Sequence, residues 1–123
     1  MKLNCVVQIM GHPWRVKICQ RESEPRLEEA TTGFADWTSH FIGISDPDDH
    51  EEFNLDNPVE FVKKIARHEI VHAFMFESGL AEEWKHQEFG HEEMLIDWLA
   101  FKLHEIWDVV RAVENYIDKE AEI

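Results

Sequence analysis

The segment from Asn57 to Gly79 leaves the chain little choice of local structure. Asn57-Pro58-Val59-Glu60 reads as a helix start, with Asn as N-cap, Pro at the first helical position and Glu at the third. Apolar residues then recur at Val59, Val62, Ile65, Ala66, Ile70, Ala73 and Phe74, the spacing of one helical face. Ser78-Gly79 supplies the stop, because Gly readily takes the left-handed conformation that ends helices. A well-bounded, substantially buried helix is expected over 57–79, and the rest of the chain must pack against it.

Inside that helix lies His68-Glu69-Ile70-Val71-His72, an HExxH string. Residues four apart share a helix face, so both imidazoles can reach one metal ion. Glu69 falls beside the place of a water on that metal. Zinc brings the pKa of such a water to about 7, and a neighbouring glutamate can take its proton, which is chemistry for hydrolysing an amide. A chain with 8 His and 26 acidic residues can produce the string as an ordinary charged helix face. The helix around it argues otherwise: both histidines are expected beside apolar residues, where imidazoles without a ligand role are costly. One zinc per chain is expected, on His68 and His72, with Glu69 as the base.

Two histidines need a third protein ligand. Gly at 75 and His at 78 would continue a metzincin motif; Met75 and Ser78 exclude it. The other common solution is a glutamate from a following helix. Glu92-Glu93-Met94-Leu95-Ile96-Asp97 opens such a helix, with Glu93 and Asp97 four apart on one face. Glu93 is the favoured third ligand, and Asp97 would accept a hydrogen bond from the far nitrogen of a ligand histidine, His68, fixing its tautomer. Glu92 is the alternative ligand, although an acid in a first turn also complements the helix dipole. His86 and His91 are weaker candidates for stabilising an oxyanion, an exposed loop position being the plainer reading of each. Tyr116 falls too far along the second helix to serve, and His12, His50 and His104 have no pairing that suggests chemistry.

HExxH followed by Glu-xxx-Asp on the next helix looks like the gluzincin pattern of thermolysin-type proteases. The run from His68 to Leu80, with Glu92-Glu93 and Asp97-Trp98-Leu99-Ala100, more closely resembles short metallopeptidase-like proteins of bacteriophages and prophages. These look related to the ImmA/IrrE group of intracellular zinc proteases, which cut repressors. The resemblance covers positions 57 to 103 and is weaker over the first 45 residues. It implies a minimal zincin-like fold, zinc ligands at His68, His72 and Glu93, a base at Glu69, and a regulatory protein as substrate.

A chain of 123 residues makes one domain, and 44% hydrophobic residues suffice for a core. The net charge of −14 disfavours direct binding to nucleic acid or an anionic membrane, leaving a protein or peptide substrate and a basic protein partner as the expected contacts. The N-terminal apolar run is broken by Asn4 and Gln8 and followed by Pro13-Trp14-Arg15, unlike a secretion signal; no stretch is long enough to span a bilayer. A cytoplasmic protein is expected. Cys5 and Cys19 fall on two β-like runs, Leu3 to Met10 and Trp14 to Gln20, joined at Gly11-His12-Pro13, and are expected as reduced, packing thiols.

Residues 21–31 read as a charged loop and 46–56 as acidic turns. His40 to Ser45 is the best further strand. It is also the expected sheet edge for pairing with an extended substrate, with Gly43 permitting close backbone approach. A long helix is expected from about His91 to Asp118, with Leu95, Trp98, Leu99, Ile106, Val109, Val110, Val113 and Ile117 towards the core. Phe101 and Trp107 read as core as well. The sum is an α+β domain: a small twisted antiparallel sheet over 1–45, the HExxH helix, and a second helix over 91–118. Two other classes fit the same residues: a non-catalytic zinc domain that binds a partner, and a phage-encoded acidic inhibitor.

Overall fold

The computed structural model describes residues 1–27, 31–53, 55–79 and 93–121. Four strands, β1 (Asn4–Ile9), β2 (His12–Cys19), β3 (Gly33–Asp36) and β4 (Phe41–Ser45), form one sheet in the order β1-β2-β4-β3. Two helices follow, α1 (Pro58–Glu77) and α2 (Glu93–Ala121). Short 3-10 turns over 21–27 and 47–53 connect the strands and lead into α1. The α+β class expected from the residue pattern is the class observed.

Each strand follows from its residues. β1 alternates, with Cys5, Val7 and Ile9 buried and Asn4, Val6 and Gln8 exposed, the period of a half-buried strand. It turns into β2 through Met10 (φ 52°) and Gly11 (φ 82°), a two-residue connection with both residues left-handed, which matches the twist of paired strands. The turn lies one residue earlier than Gly11-His12-Pro13, and Pro13 is paired inside β2, opposite Gln8. There its missing N–H costs little, because β4 starts only opposite Arg15. Cys5 pairs with Val16 and not with Cys19, and both cysteines are free and buried.

Two expectations about the sheet need correction. It is mixed, not wholly antiparallel: β2 and β4 pair in parallel, Arg15 opposite Phe41 through Cys19 opposite Ser45. The segment between them is long enough to pass outward to β3 before returning, and a parallel pair requires such a crossover. His40 to Ser45 is therefore no edge: β4 sits between β2 and β3, and β3 is the outer strand. Gly43 accommodates the Phe34 ring, which occupies the space where a Cβ would stand. Phe34 in turn stacks on Phe41 with ring centroids 5.8 Å apart, under the Arg26 guanidinium.

Both helices cover one face of the sheet, α1 over β3 and β4 and α2 over β1. Trp14, Val16, Ile42, Ile44, Val62, Ile70, Phe74, Val113 and Ile117 form the centre of the core. Arg67–Glu114 (2.8 Å) and Lys63–Asp118 (2.8 Å) tie α1 to α2. In α2, Ile106, Val109, Val110, Val113 and Ile117 are buried as expected. Leu99 (42% exposed), Phe101 (78%) and Trp107 (52%) are exposed, contrary to expectation. Phe101 and Trp107 lie off the helical phase set by 106, 109, 110, 113 and 117.

Candidate metal centre

α1 begins where its residues dictate. The Asn57 side chain accepts a hydrogen bond from the Glu60 N–H (3.2 Å), Pro58 opens the first turn, and Gly79 (φ 80°) follows the last. These bounds place the HExxH residues in the second half of the helix. Val62, Ile65, Ala66, Glu69, Ile70 and Ala73 share its buried face, so Glu69 turns inward, while His68 and His72 are exposed. The expectation that both imidazoles would be embedded beside apolar residues is thus corrected: the helical phase that buries Glu69 turns both histidines outward.

The imidazole pair has the geometry a metal needs. The two Nε2 atoms are 3.2 Å apart, and the rings meet edge to face at 65°. Two nitrogens about 2.1 Å from one tetrahedral ion stand roughly 3.4 Å from each other, so little movement separates this pair from a ligating one. Ligand atoms of His68, Glu69 and His72 all lie within 4.8 Å of one another, and this group can hold a metal ion. Phe76, one turn beyond, stacks on His72 at 6.4 Å.

Partial loss of solvent around the site also acts on His72 and Glu69. Desolvation lowers the His72 pKa, with His68 adding a smaller push, and so favours the neutral imidazole that binds metals. Desolvation raises the Glu69 carboxyl above its usual range, against a weaker opposing effect of His68. A carboxylate raised in this way is a better proton acceptor near neutral pH. Its carboxylate lies against β3: a Cβ added to Gly33 would come within 3.2 Å of Glu69 Oε2. The absence of a side chain at Gly33 is what lets α1 and its carboxylate approach the edge strand this closely.

The remaining expected site residues divide by place. His86, His91 and Glu92 lie outside the described residues, as do the side chains of Glu93 and Asp97, whose backbone forms the start of α2. Tyr116 lies late in α2 and is exposed.

Two polar clusters had no sequence signal. Glu77, in the last turn of α1, accepts a hydrogen bond from Trp14 Nε1 (3.0 Å), and Nε2 atoms of His12 and His40 lie 3.4 and 3.1 Å from its two oxygens. His50 is buried, with Nδ1 3.4 Å from Arg21 Nη2 and Nε2 2.8 Å from Ser45 Oγ. A guanidinium only donates, so Nδ1 accepts and the Nε2–H donates to Ser45. Both clusters join residues distant in sequence through tertiary structure, beyond the reach of spacing rules.

Comparison of the chain with protein-family models, curated proteins and solved structures gives no match. Among the described residues, no helix is long and apolar enough to cross a membrane.

Proposed function

We propose that the chain is a zinc-dependent hydrolase of peptide bonds, acting on a regulatory protein inside the cell. The observation that carries this reading is the pairing of two outward Nε2 atoms 3.2 Å apart with a buried, proton-seeking carboxylate on the next residue. A purely structural metal site has no use for that carboxylate. His68 and His72 hold the ion, with Glu93 as the proposed third ligand and Asp97 orienting a histidine. When bound, zinc polarises the scissile carbonyl and acidifies water. Glu69 takes the proton from the attacking water and passes it to the leaving amine, a transfer its raised pKa favours. β3, the strand against which Glu69 packs, has no second strand partner among the described residues, and an extended peptide can add to that side as a further strand.

Glu69→Gln tests the assignment. Purified wild-type protein should carry one zinc per chain and cleave a fluorogenic peptide library; the variant should keep zinc and fold and lose cleavage. Cleavage that survives in the variant refutes Glu69 as the base. Loss of zinc from it shows that the ligands are misassigned.

A further inference from the structure

Among the described residues, β1 is the edge strand of the sheet opposite β3 and pairs on one side only. The Ile18 N–H donates to the Leu3 carbonyl (3.0 Å), which fixes the alternation along the hairpin. Leu3, Cys5, Val7 and Ile9 bond to β2, and the backbone groups of Asn4, Val6 and Gln8 point off the edge. This edge lacks the usual guards against pairing: Asn-Cys-Val-Val-Gln-Ile contains no charge, no proline and no bulge.

A shallow groove of about 280 Å³ runs along it, walled by Val6 and Gln8 of β1 and by Asp108, Ala112 and Tyr116 of α2. It continues past Asn115 to Lys119. Val6 and Tyr116 are each 46% exposed. On α2, Glu105, Asp108, Ala112, Asn115 and Lys119 recur at alternating spacings of three and four and so form one largely polar stripe along the helix, away from its buried residues. The stripe and the edge share a midpoint. Val6 is the middle of the three outward residues of β1, Ala112 is the middle of the stripe, and the groove brings them together. α2 runs antiparallel to β1, since Asp108 shares the groove with Gln8 while Glu120 shares a cavity wall with Leu3 and Asn4.

From this juxtaposition we infer that the chain forms a two-fold homodimer through β1, with one sheet running through both copies. An axis passing by Val6 and Ala112 pairs β1 antiparallel with its counterpart and lays the two α2 helices antiparallel alongside. The small Ala112 side chain permits their close approach. Counting from Ala112, Lys119 of one copy meets the turn carrying Glu105 and Asp108 of the other, and the symmetry repeats the contact. Glu105 is the direct counterpart of Lys119 about this axis, although it also pairs with Lys102 of its own helix (3.4 Å), and Asp108 lies one turn further along. This self-complementarity selects a second copy as the occupant: a basic peptide would suit Asp108 but would face Lys119. The net charge of −14 opposes association at long range, but at about 0.15 M salt its reach falls to about 8 Å. The inference does not depend on the metal centre.

Sedimentation equilibrium of the full chain at that ionic strength provides the test. Wild-type protein should reach twice the chain mass, and Val6→Lys, at an exposed position, should weaken association about tenfold or more with an unchanged circular dichroism spectrum. Lys119→Glu and Asp108→Lys/Glu105→Lys should each fail to self-associate but should pair with one another when mixed, because like charges then meet only in the homodimers. A protein that stays monomeric overturns the inference. So does a dimer indifferent to Val6→Lys, or a monomer whose β1 edge binds only a foreign peptide.

Discussion

Gly33→Ala puts the contact between β3 and α1 to a quantitative test. The added Cβ would lie 2.5 Å from Ile65 Cγ2, 3.2 Å from Glu69 Oε2 and 3.2 Å from the Gly43 carbonyl oxygen. Ile65 is buried, so its methyl group cannot swing clear into solvent. Overpacking of this kind costs about 1–3 kcal/mol. Gly33 does not occupy the left-handed region, so alanine also restricts the unfolded chain without straining the fold, which returns about 0.4–1 kcal/mol. The expected net loss is about 1–2 kcal/mol, read from urea denaturation with an unchanged slope. A second substitution isolates the cause. Ile65→Leu removes the Cγ2 methyl at nearly constant volume, whereas Ile65→Val keeps it. Leucine should recover much of the loss caused by Gly33→Ala, and valine should recover none. If Gly33→Ala lies within about 0.5 kcal/mol of wild type, or if valine rescues as well as leucine, the close approach of α1 to β3 is wrong.

The His68→Ala/His72→Ala double variant should retain no stoichiometric zinc by elemental analysis, and His72→Ala alone should lower both metal content and the melting temperature of the zinc-loaded protein. Asp97→Asn should weaken zinc affinity about 10- to 100-fold in a chelator competition; an unchanged affinity would remove the argument for Glu93 over Glu92. Acid sensitivity has a local source on the sheet's outer face. Hydrogen bonding to Arg26 holds the Glu24 carboxyl below its usual range, and Thr38, with Arg26 contributing, does the same for Asp36. A carboxyl depressed in the folded state contributes stability above its unfolded pKa near 4 and loses it as pH falls through the lower folded value. Arg26→Met should therefore make the loss of stability as pH falls below about 4 shallower, as followed by urea titrations.

The parts of the fold legible in the sequence were those governed by local rules. α1 starts at Pro58 and is followed by Gly79 in the left-handed conformation because capping chemistry and a 3.6-residue period act within one segment. The β1–β2 hairpin and the buried half of α2 followed from the same kind of reasoning. What remained hidden was set by contacts between segments. The parallel pairing of β2 with β4 depends on the crossover through β3, and no residue of His40 to Ser45 announces whether it has one neighbour or two. At the centre itself, residue types and spacing identified His68, Glu69 and His72, but the opposite orientations of the carboxylate and the imidazoles emerge only when α1 is laid on β3. The Glu77 cluster escaped notice because His12 and Trp14 come from β2, His40 from the turn before β4, and Glu77 from the end of α1.

That cluster has a consequence for the angular setting of α1. Successive residues of an α-helix are about 100° apart around its axis, so His68 faces out and Glu69 in by virtue of a single step. A roll of the helix by half that step would bring carboxylate and imidazoles to similar depth and relieve the desolvation that raises the Glu69 carboxyl. The Glu77 carboxylate, held by the Trp14 indole and flanked by His12 and His40, pins the last turn of α1 to the tips of both hairpins. The hairpins thus act as a rotational stop for the helix that carries the candidate metal ligands, and a change as remote as Trp14→Phe can detune Glu69 without touching it.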